Sequence, residues 1–429
     1  MELNFRFGSR SIFGAVPRLR SLIPGCGSLL GYPLKKTFGL LAFCVIVLSG
    51  AANIARAGPY LDGARQGDTI AVGAEQSAKQ DRIPFEFRGF GTLGVSHASQ
   101  RLGDYIVDST VPKGAGRSHD WSMGNDSRIG LQADLNLSAR TSAVVQVISE
   151  YQADETYWPT IEWANLKYAL APKVFIRLGR IALPTFLNSD SRKVGYSYPW
   201  IHPPLELYRQ LAITNSDGAD VMYHFTIGDA ENSVKALVGT NKIERPTSTS
   251  YSREMWGIFD TLEYAQTTLH FSYQQREARS DNHVTGVTGP WIQNSDYSVG
   301  VTYDTGSWFA TSEWVRREST TRVDAAYLST GNRFHSFTPY LTYSKNRPAS
   351  FLPGFPAPTP AAIQSAKRSQ STVSLGLRWD FMKNTDIKLQ FDQIRLSGDS
   401  NGYLANVPAG ITLYGAKFYV VSALVDFVF

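Results

Sequence analysis

Cysteine is nearly missing from this chain: its 429 residues hold two, Cys26 and Cys44, both near the N-terminus. Everything after them lacks a disulfide framework and thiolate chemistry. Long apolar runs are missing too, since the stretch from Phe38 to Leu48 is too short to span a bilayer as a helix and no other run approaches one. A sustained helical period is almost nowhere to be found, which is unusual for a soluble chain of this length. Metal-ligand spacing is absent among His97, His119, His202, His224, His270, His283 and His335, so no metal is expected.

The apolar run follows Lys35 and Lys36 and leads through small residues to Ala55-Arg56-Ala57. A basic flank, a short apolar segment and an A-x-A site make residues 1–57 a secretory signal peptide, with Gly58 the expected mature N-terminus. Residues 1–32 are oversized for such a signal and fit a start codon placed too early. Processing removes seven of 42 basic residues and one of 37 acids, leaving 35 against 36. The pI of 9.0 therefore belongs mostly to the signal, and no nucleic-acid partner is expected.

What the chain has is alternation. Residues 58–84 are polar and aperiodic and read as a flexible periplasmic lead-in. From Phe85 to Phe429 sixteen segments of about ten residues alternate apolar and polar side chains, as membrane strands do. They begin at 85–97, 126–138, 141–152, 160–170 and 173–182 and end at 384–396 and 416–429. Tight turns alternate with longer connections near 98–125, 153–159, 183–216, 241–254, 277–293, 344–369 and 397–415. Short turns on one rim and long loops on the other mark an antiparallel transmembrane barrel. One outer connection, 318–320, is short, which leaves room for a miscount of two strands.

In the second segment Ile129, Leu131, Ala133, Leu135 and Leu137 share one parity, while Arg128, Gln132, Asp134 and Asn136 share the other. A soluble sandwich has the same period with reversed faces. Export, the lack of cysteine and aromatics near segment ends (Tyr151, Trp158, Trp163, Trp256, Trp291, Trp308, Trp314, Trp379) favour the barrel, whose closure satisfies every backbone group in lipid. Gly89-Phe90-Gly91-Thr92-Leu93-Gly94 matches the dinucleotide fingerprint in letters only. No helix opens behind it, and in a strand these glycines permit bending or close backbone approach.

The last segment carries Tyr419, Val421, Ala423, Val425, Phe427 and Phe429 on one parity and ends in phenylalanine. It resembles the closing strand of Gram-negative general porins; FEFRGFGTLG, DSRIGLQADLNLS and VFIRLGRIAL are similar to their strands one, two and five. The resemblance implies a 16-stranded barrel in the outer membrane, trimeric, in contact with lipid and lipopolysaccharide. It also implies a C-terminal signal at Phe427 and Phe429 read by the outer-membrane assembly machinery. The implied activity is passive diffusion of small hydrophilic solutes or ions, with no cofactor and no catalysis.

Porins fold the loop after strand five into the lumen, here residues 184–216, and the resemblance makes Asp190, Arg192, Lys193, Tyr196, Glu206 and Arg209 constriction candidates. The acidic, glycine-rich pattern of that loop in general porins is not visible here. Pores select by radius and rings of charge, so Arg88, Arg128, Arg177 and Arg180 are wall candidates, balanced by Glu86, Asp134, Glu150 and Glu162. Arg177 and Arg180 have opposite parity, so one of them must point outward or sit at a bulge. Two other readings stand: a closed-lumen barrel acting as an enzyme or structural adhesin, and an 18-stranded substrate-specific channel.

Overall fold

The computed structural model describes residues 85–353, 367–398 and 400–429. The signal peptide and the lead-in, residues 1–84, lie outside the described residues.

Period-two alternation becomes strand after strand, each antiparallel to its sequence neighbours. The first eight are β1 (Phe85–Ala98), β2 (Arg128–Asn136), β3 (Thr141–Glu150), β4 (Thr160–Ala171), β5 (Val174–Ala182), β6 (Asn215–Ile227), β7 (Ala230–Arg245) and β8 (Ser248–Tyr264). They continue as β9 (Thr267–Asn282), β10 (Ile292–Asp304), β11 (Trp308–Glu318), β12 (Thr321–Asn332), β13 (Phe337–Asn346), β14 (Gln370–Met382), β15 (Thr385–Leu396) and β16 (Lys417–Val428).

Closure comes from β1, which pairs with β2 from Phe85↔Leu135 to Thr92↔Arg128 and with β16 from Phe90↔Val428 to Ala98↔Val420. The backbones of Gly89 and Phe429 exchange hydrogen bonds of 2.8 and 2.9 Å, extending the seam to the last residue. At Gly89 and Gly91 a Cβ would overlap the rings of Phe429 and Phe427. Those glycines thus provide the close approach that two terminal aromatics need, and no phosphate site is involved.

Parity sorts the faces as expected. Ile129 and Leu131 are exposed on the outside while Gln132 is buried inside, and Val421 and Tyr419 are exposed while Ser422 and Asp426 are buried. Apolar side chains exposed on nearly every strand form the belt that a bilayer covers.

Two expectations about connections need correction. The long loop at 241–254 does not exist: β7 and β8 run 16 and 17 residues and meet at a two-residue turn. Likewise β9 extends to Asn282, shortening the loop expected at 277–293. A span needs only about 9–11 residues, so this sheet rises beyond the apolar belt, where both faces are polar and alternation fades. The short outer connection is a genuine hairpin, with Ser319 N donating to Thr321 O at 2.9 Å. Sixteen strands therefore close the barrel without a missing pair.

Candidate functional site

The segment between β5 and β6, loop 3 (residues 183–214), folds into the lumen and leans on the wall from β9 round to β16. Thr185 Oγ1 donates to Gln274 Oε1 of β9 at 3.1 Å, and Leu187 N donates to Glu313 Oε1 of β11 at 2.9 Å. Its tip is a 3₁₀ turn, Gly195–Ser197. Lys388 of β15 donates to Gly195 O at 2.6 Å and pairs with Asp426 of β16 at 2.8 Å. Arg378 of β14 donates to Tyr196 O at 2.7 Å and lies 4.6 Å from the Tyr196 ring. Only glycine fits at 195, because a Cβ there would overlap the Asp426 carboxylate.

Beyond the tip, Trp200 Nε1 donates to Ser329 Oγ of β12 at 2.7 Å. A single-turn helix, α1 (Leu205–Tyr208), then brings Glu206 against β13 and β14. There the carboxylate accepts from Thr372 Oγ1 at 2.6 Å, Gln370 Nε2 at 2.7 Å and Ser344 Oγ. Tyr208 donates to Glu313 at 3.1 Å. Apolar side chains complete the seat: Phe186, Trp200, Leu207, Tyr208 and Leu211 join inward-facing Leu237, Phe259, Phe309 and Tyr327 in one buried cluster. Such burial, at about 1.5–3 kcal/mol per large side chain, holds the loop more firmly than its hydrogen bonds do.

Loop 1 (residues 99–127) and loop 8 (residues 397–416) also turn inward. Asp108 of loop 1 lies 3.3 Å from Arg192 of loop 3. Burial raises the Asp108 carboxyl, but Arg192 and Lys193 outweigh it and hold it below its ordinary value. Arg209 donates to Ile106 O at 3.0 Å and to Tyr403 O of loop 8, its guanidinium 5.3 Å from the Tyr403 ring. Burial, with Arg368 adding to it, lowers Arg209 to about 10. A second apolar cluster, including Tyr105, Val107, Leu205, Leu404 and Leu413, binds the three loops together.

The wall from β2 to β6 carries charged side chains beside the buried Ile148, Phe175 and Met222, and Lys193 Nζ reaches it at Glu150 Oε1 of β3, 2.5 Å away. Arg128 stands 3.9 Å from the same carboxylate. Arg177 and Asp220 form a buried pair at 2.6 Å, and Lys167 lies 4.6 Å from the Phe175 ring. Removing one partner of a buried pair leaves an uncompensated charge, at a cost of about 3–5 kcal/mol. Arg177→Leu is therefore expected to lower the urea midpoint of the folded barrel, and Arg177→Leu with Asp220→Leu to recover most of it. A double variant as weak as the single one would refute that pairing argument.

The structure thus divides the sequence-derived candidates. Lys193 and Arg128 meet at Glu150, Arg177 faces inward on β5 in its pair with Asp220, and Asp190 is exposed on loop 3. Arg88 lies at the turn-bearing rim, paired with Glu86 at 2.7 Å and 3.9 Å from Asp134. Arg192, Glu206 and Arg209 do not face open lumen; they fasten loop 3 to its neighbours. Tyr196 covers Arg378. Arg180 faces outward: it pairs with Asp217, its partner across the β5–β6 ladder, at 2.7 Å, and both are well exposed. The cause is unbroken alternation: Phe175, Arg177 and Ile181 share the inward parity, which leaves Arg180 on the outside.

Sequence reasoning missed the inward course of loops 1 and 8 and the Arg378–Asp386–Lys388–Asp426 anchor, where Asp386, Lys388 and Asp426 are fully buried. The loops carried a signal: Tyr105-Ile106-Val107 and Leu404, Val407, Ile411 and Leu413 are more apolar than solvent-exposed loops require.

No protein-family model matches the sequence, and no curated protein matches it. Solved structures do. A loop L8 deletion mutant of OmpT, an outer membrane protein of Vibrio cholerae, superimposes with a TM-score of 0.52 at 12% identity, covering 80% of this chain and 99% of its own. An anion-selective porin from Comamonas acidovorans gives 0.51 at 12% identity, covering 80% and 99%. The outer membrane channel DcaP of Acinetobacter baumannii gives 0.50 at 12%, covering 80% and 97%. At this identity the likeness is one of architecture: the chain has the sixteen-stranded fold of the porins.

Proposed function

We propose that this protein is an outer-membrane porin, a passive channel for small hydrophilic solutes or ions, exported by its signal peptide. The observation that carries this reading is the inward loop seated on one side of a closed barrel, opposite a wall of charged side chains under an apolar outer belt. The reading includes a homotrimer in lipid and lipopolysaccharide, inserted by the assembly machinery through Phe427 and Phe429, with neither cofactor nor catalytic step. The passage runs between loop 3 and the β2–β6 wall, lined by Asp190, Lys193, Arg128 and, at its mouth, Arg88, with the buried Arg177–Asp220 pair in the wall behind it. Its bore is narrow, because loops 1, 3 and 8 occupy much of the lumen.

Purified protein in planar bilayers should give stepwise, ohmic channels of small unit conductance. A membrane-inserted, folded protein that never conducts would favour the closed-lumen alternative. Lys193→Glu should move the reversal potential in a salt gradient several-fold toward cations, since it converts a lumen cation into an anion beside Glu150. Unchanged selectivity would remove Lys193 from the passage. Arg192 is a poor choice for this test, because its guanidinium donates to Tyr208 O and Leu211 O at 2.9 and 2.8 Å.

A further inference from the structure

Above loop 3, on the side of the long connections, the inner wall gathers arginines. Along β9 the inward row runs Ser272, Gln274, Arg276. Thr185 of loop 3 meets the first two, so Arg276 stands one inward position above the loop. Along β11 the row runs Glu313, Val315, Arg317; Leu187 of loop 3 meets Glu313, which leaves Arg317 two positions higher. Between these strands, on β10, lies Asp296, the register partner of both Gln274 and Arg317. Arg276 pairs with one oxygen of Asp296, and Arg317 Nε lies 3.8 Å from the other. Arg317 also donates to Gln210 O of loop 3 and, at 3.5 Å, to Asn294 Oδ1. One carboxylate thus sits between two guanidiniums.

Two further arginines add charge without a counter-ion among the described residues. Arg209, next to Gln210, donates to the carbonyls of Ile106 and Tyr403. Arg245 of β7 shares the inward parity of Ile243 and donates to two hydroxyls, Ser109 of loop 1 at 3.2 Å and Ser250 at 2.6 Å. Ser250 pairs with Ser280, two inward positions above Arg276, which puts Arg245 on the upper rim of the same wall. The other acids on the external halves of β9–β11, Glu277, Asp281 and Glu318, stand on the outward parity in ion pairs of their own. Asp108 of loop 1 is matched by Arg192. Four guanidiniums therefore share Asp296, and three positive charges remain uncompensated. Arg317, although inward, keeps 32% of its side chain exposed, and the buried Nε of Arg276 has no hydrogen-bond partner among the described residues.

We propose that this stretch of wall is a binding site for small, multiply charged oxyanions, inorganic phosphate among them, held on the external side of loop 3. A guanidinium offers parallel N–H donors that match a pair of oxygens on phosphate, a geometry that chloride cannot use. Positive charge focused in a confined lumen raises the local concentration of anions, and a doubly charged anion gains more from it than a singly charged one. Arg245 meets the incoming anion first; Arg317, with Arg276 behind it and Arg209 beside it, holds the anion against loop 3. Capture of solutes in passage rests on the porin reading, whereas the site itself rests on the arginines alone.

Titration calorimetry of the detergent-solubilised barrel with inorganic phosphate, at low ionic strength so that screening is weak, tests the site directly. Wild type should bind phosphate more tightly than acetate, and Arg317→Gln and Arg245→Gln should each bind phosphate about tenfold more weakly. Arg317→Gln keeps the Arg276–Asp296 pair, and heat-modifiable migration on gels verifies that each variant is folded. Arg180→Gln, which removes an outward cation, should leave the affinity unchanged. Equal phosphate affinity in wild type and both folded inward variants would overturn the proposal, as would a comparable loss in Arg180→Gln, which would make the effect one of bulk charge. In planar bilayers, phosphate added to the chloride bath should reduce the wild-type current, and Arg317→Gln should need about tenfold more phosphate for the same reduction. Weakened binding in the inward variants, with no channels under any condition, would keep the site and sink the porin reading instead.

Discussion

Trp200→Ala should raise the unit conductance several-fold while leaving the sixteen strands closed. Trp200 is the largest aromatic link between loop 3 and the barrel: it is 4% exposed, packs edge-on to Tyr327 at 5.9 Å and donates to Ser329. Truncating a buried tryptophan to alanine costs about 3–5 kcal/mol. Most of that loss falls on loop 3, because the strands behind it keep their ladders. Ser329 also keeps a partner, since its hydroxyl is 2.7 Å from Thr342 Oγ1. The 198–208 segment then loses its largest apolar anchor, leaving Tyr198, Leu207 and Tyr208 beside polar contacts that exchange readily with water inside a wet lumen. Planar-bilayer recordings give the conductance, and heat-modifiable migration on gels reports the folded barrel. An unchanged conductance in a folded variant would mean that loop 3 does not limit the passage.

How much of this was legible beforehand follows from the range of each interaction. Strand positions were, because a barrel wall in a bilayer imposes one rule on every residue: apolar outward, polar inward. Ile129 and Gln132 obey it locally, with no knowledge of what lies across the lumen. The rule lapses where its cause does, so the ends of β7, β8 and β9 were read as loop. The course of the inward loops was illegible for a different reason. Lys388 and Gly195 meet across 193 residues of sequence, as do Arg209 and Tyr403 across 194. Nothing near either partner announces the other. Charge was misleading for the same reason: the resemblance made Arg192 and Arg209 constriction candidates because it carries their loop into the lumen, yet their neighbours in space are backbone carbonyls, aromatic rings and, for Arg192, the Asp108 carboxylate. Parity did show that Arg177 and Arg180 could not share a face, and the structure needed only to say which one left the lumen.

Gly91→Ile should abolish accumulation of folded barrel in the membrane. The seam between β1 and β16 is the last ladder to form, since its strands are the first and last of the barrel and all fifteen other pairings join sequence neighbours. Gly91 pairs with Phe427, and the Phe427 ring lies over its Cα, filling the space where a side chain would start. Flanking Gly89 takes the Phe429 ring in the same manner, and the two rings stack with centroids 6.4 Å apart. A branched side chain at 91 displaces Phe427 from the seam, and with it the register of the terminal strand. An unclosed sheet in lipid exposes a row of unpaired backbone groups, each costing several kcal/mol, so partial closure is not a stable compromise. Phe427→Ala should partly rescue Gly91→Ile, because it vacates the space the new side chain needs. Heat-modifiable migration and protease resistance of membrane fractions measure the outcome. If Gly91→Ile alone accumulates as a folded, protease-resistant barrel, the terminal aromatics do not close the wall by packing on these glycines.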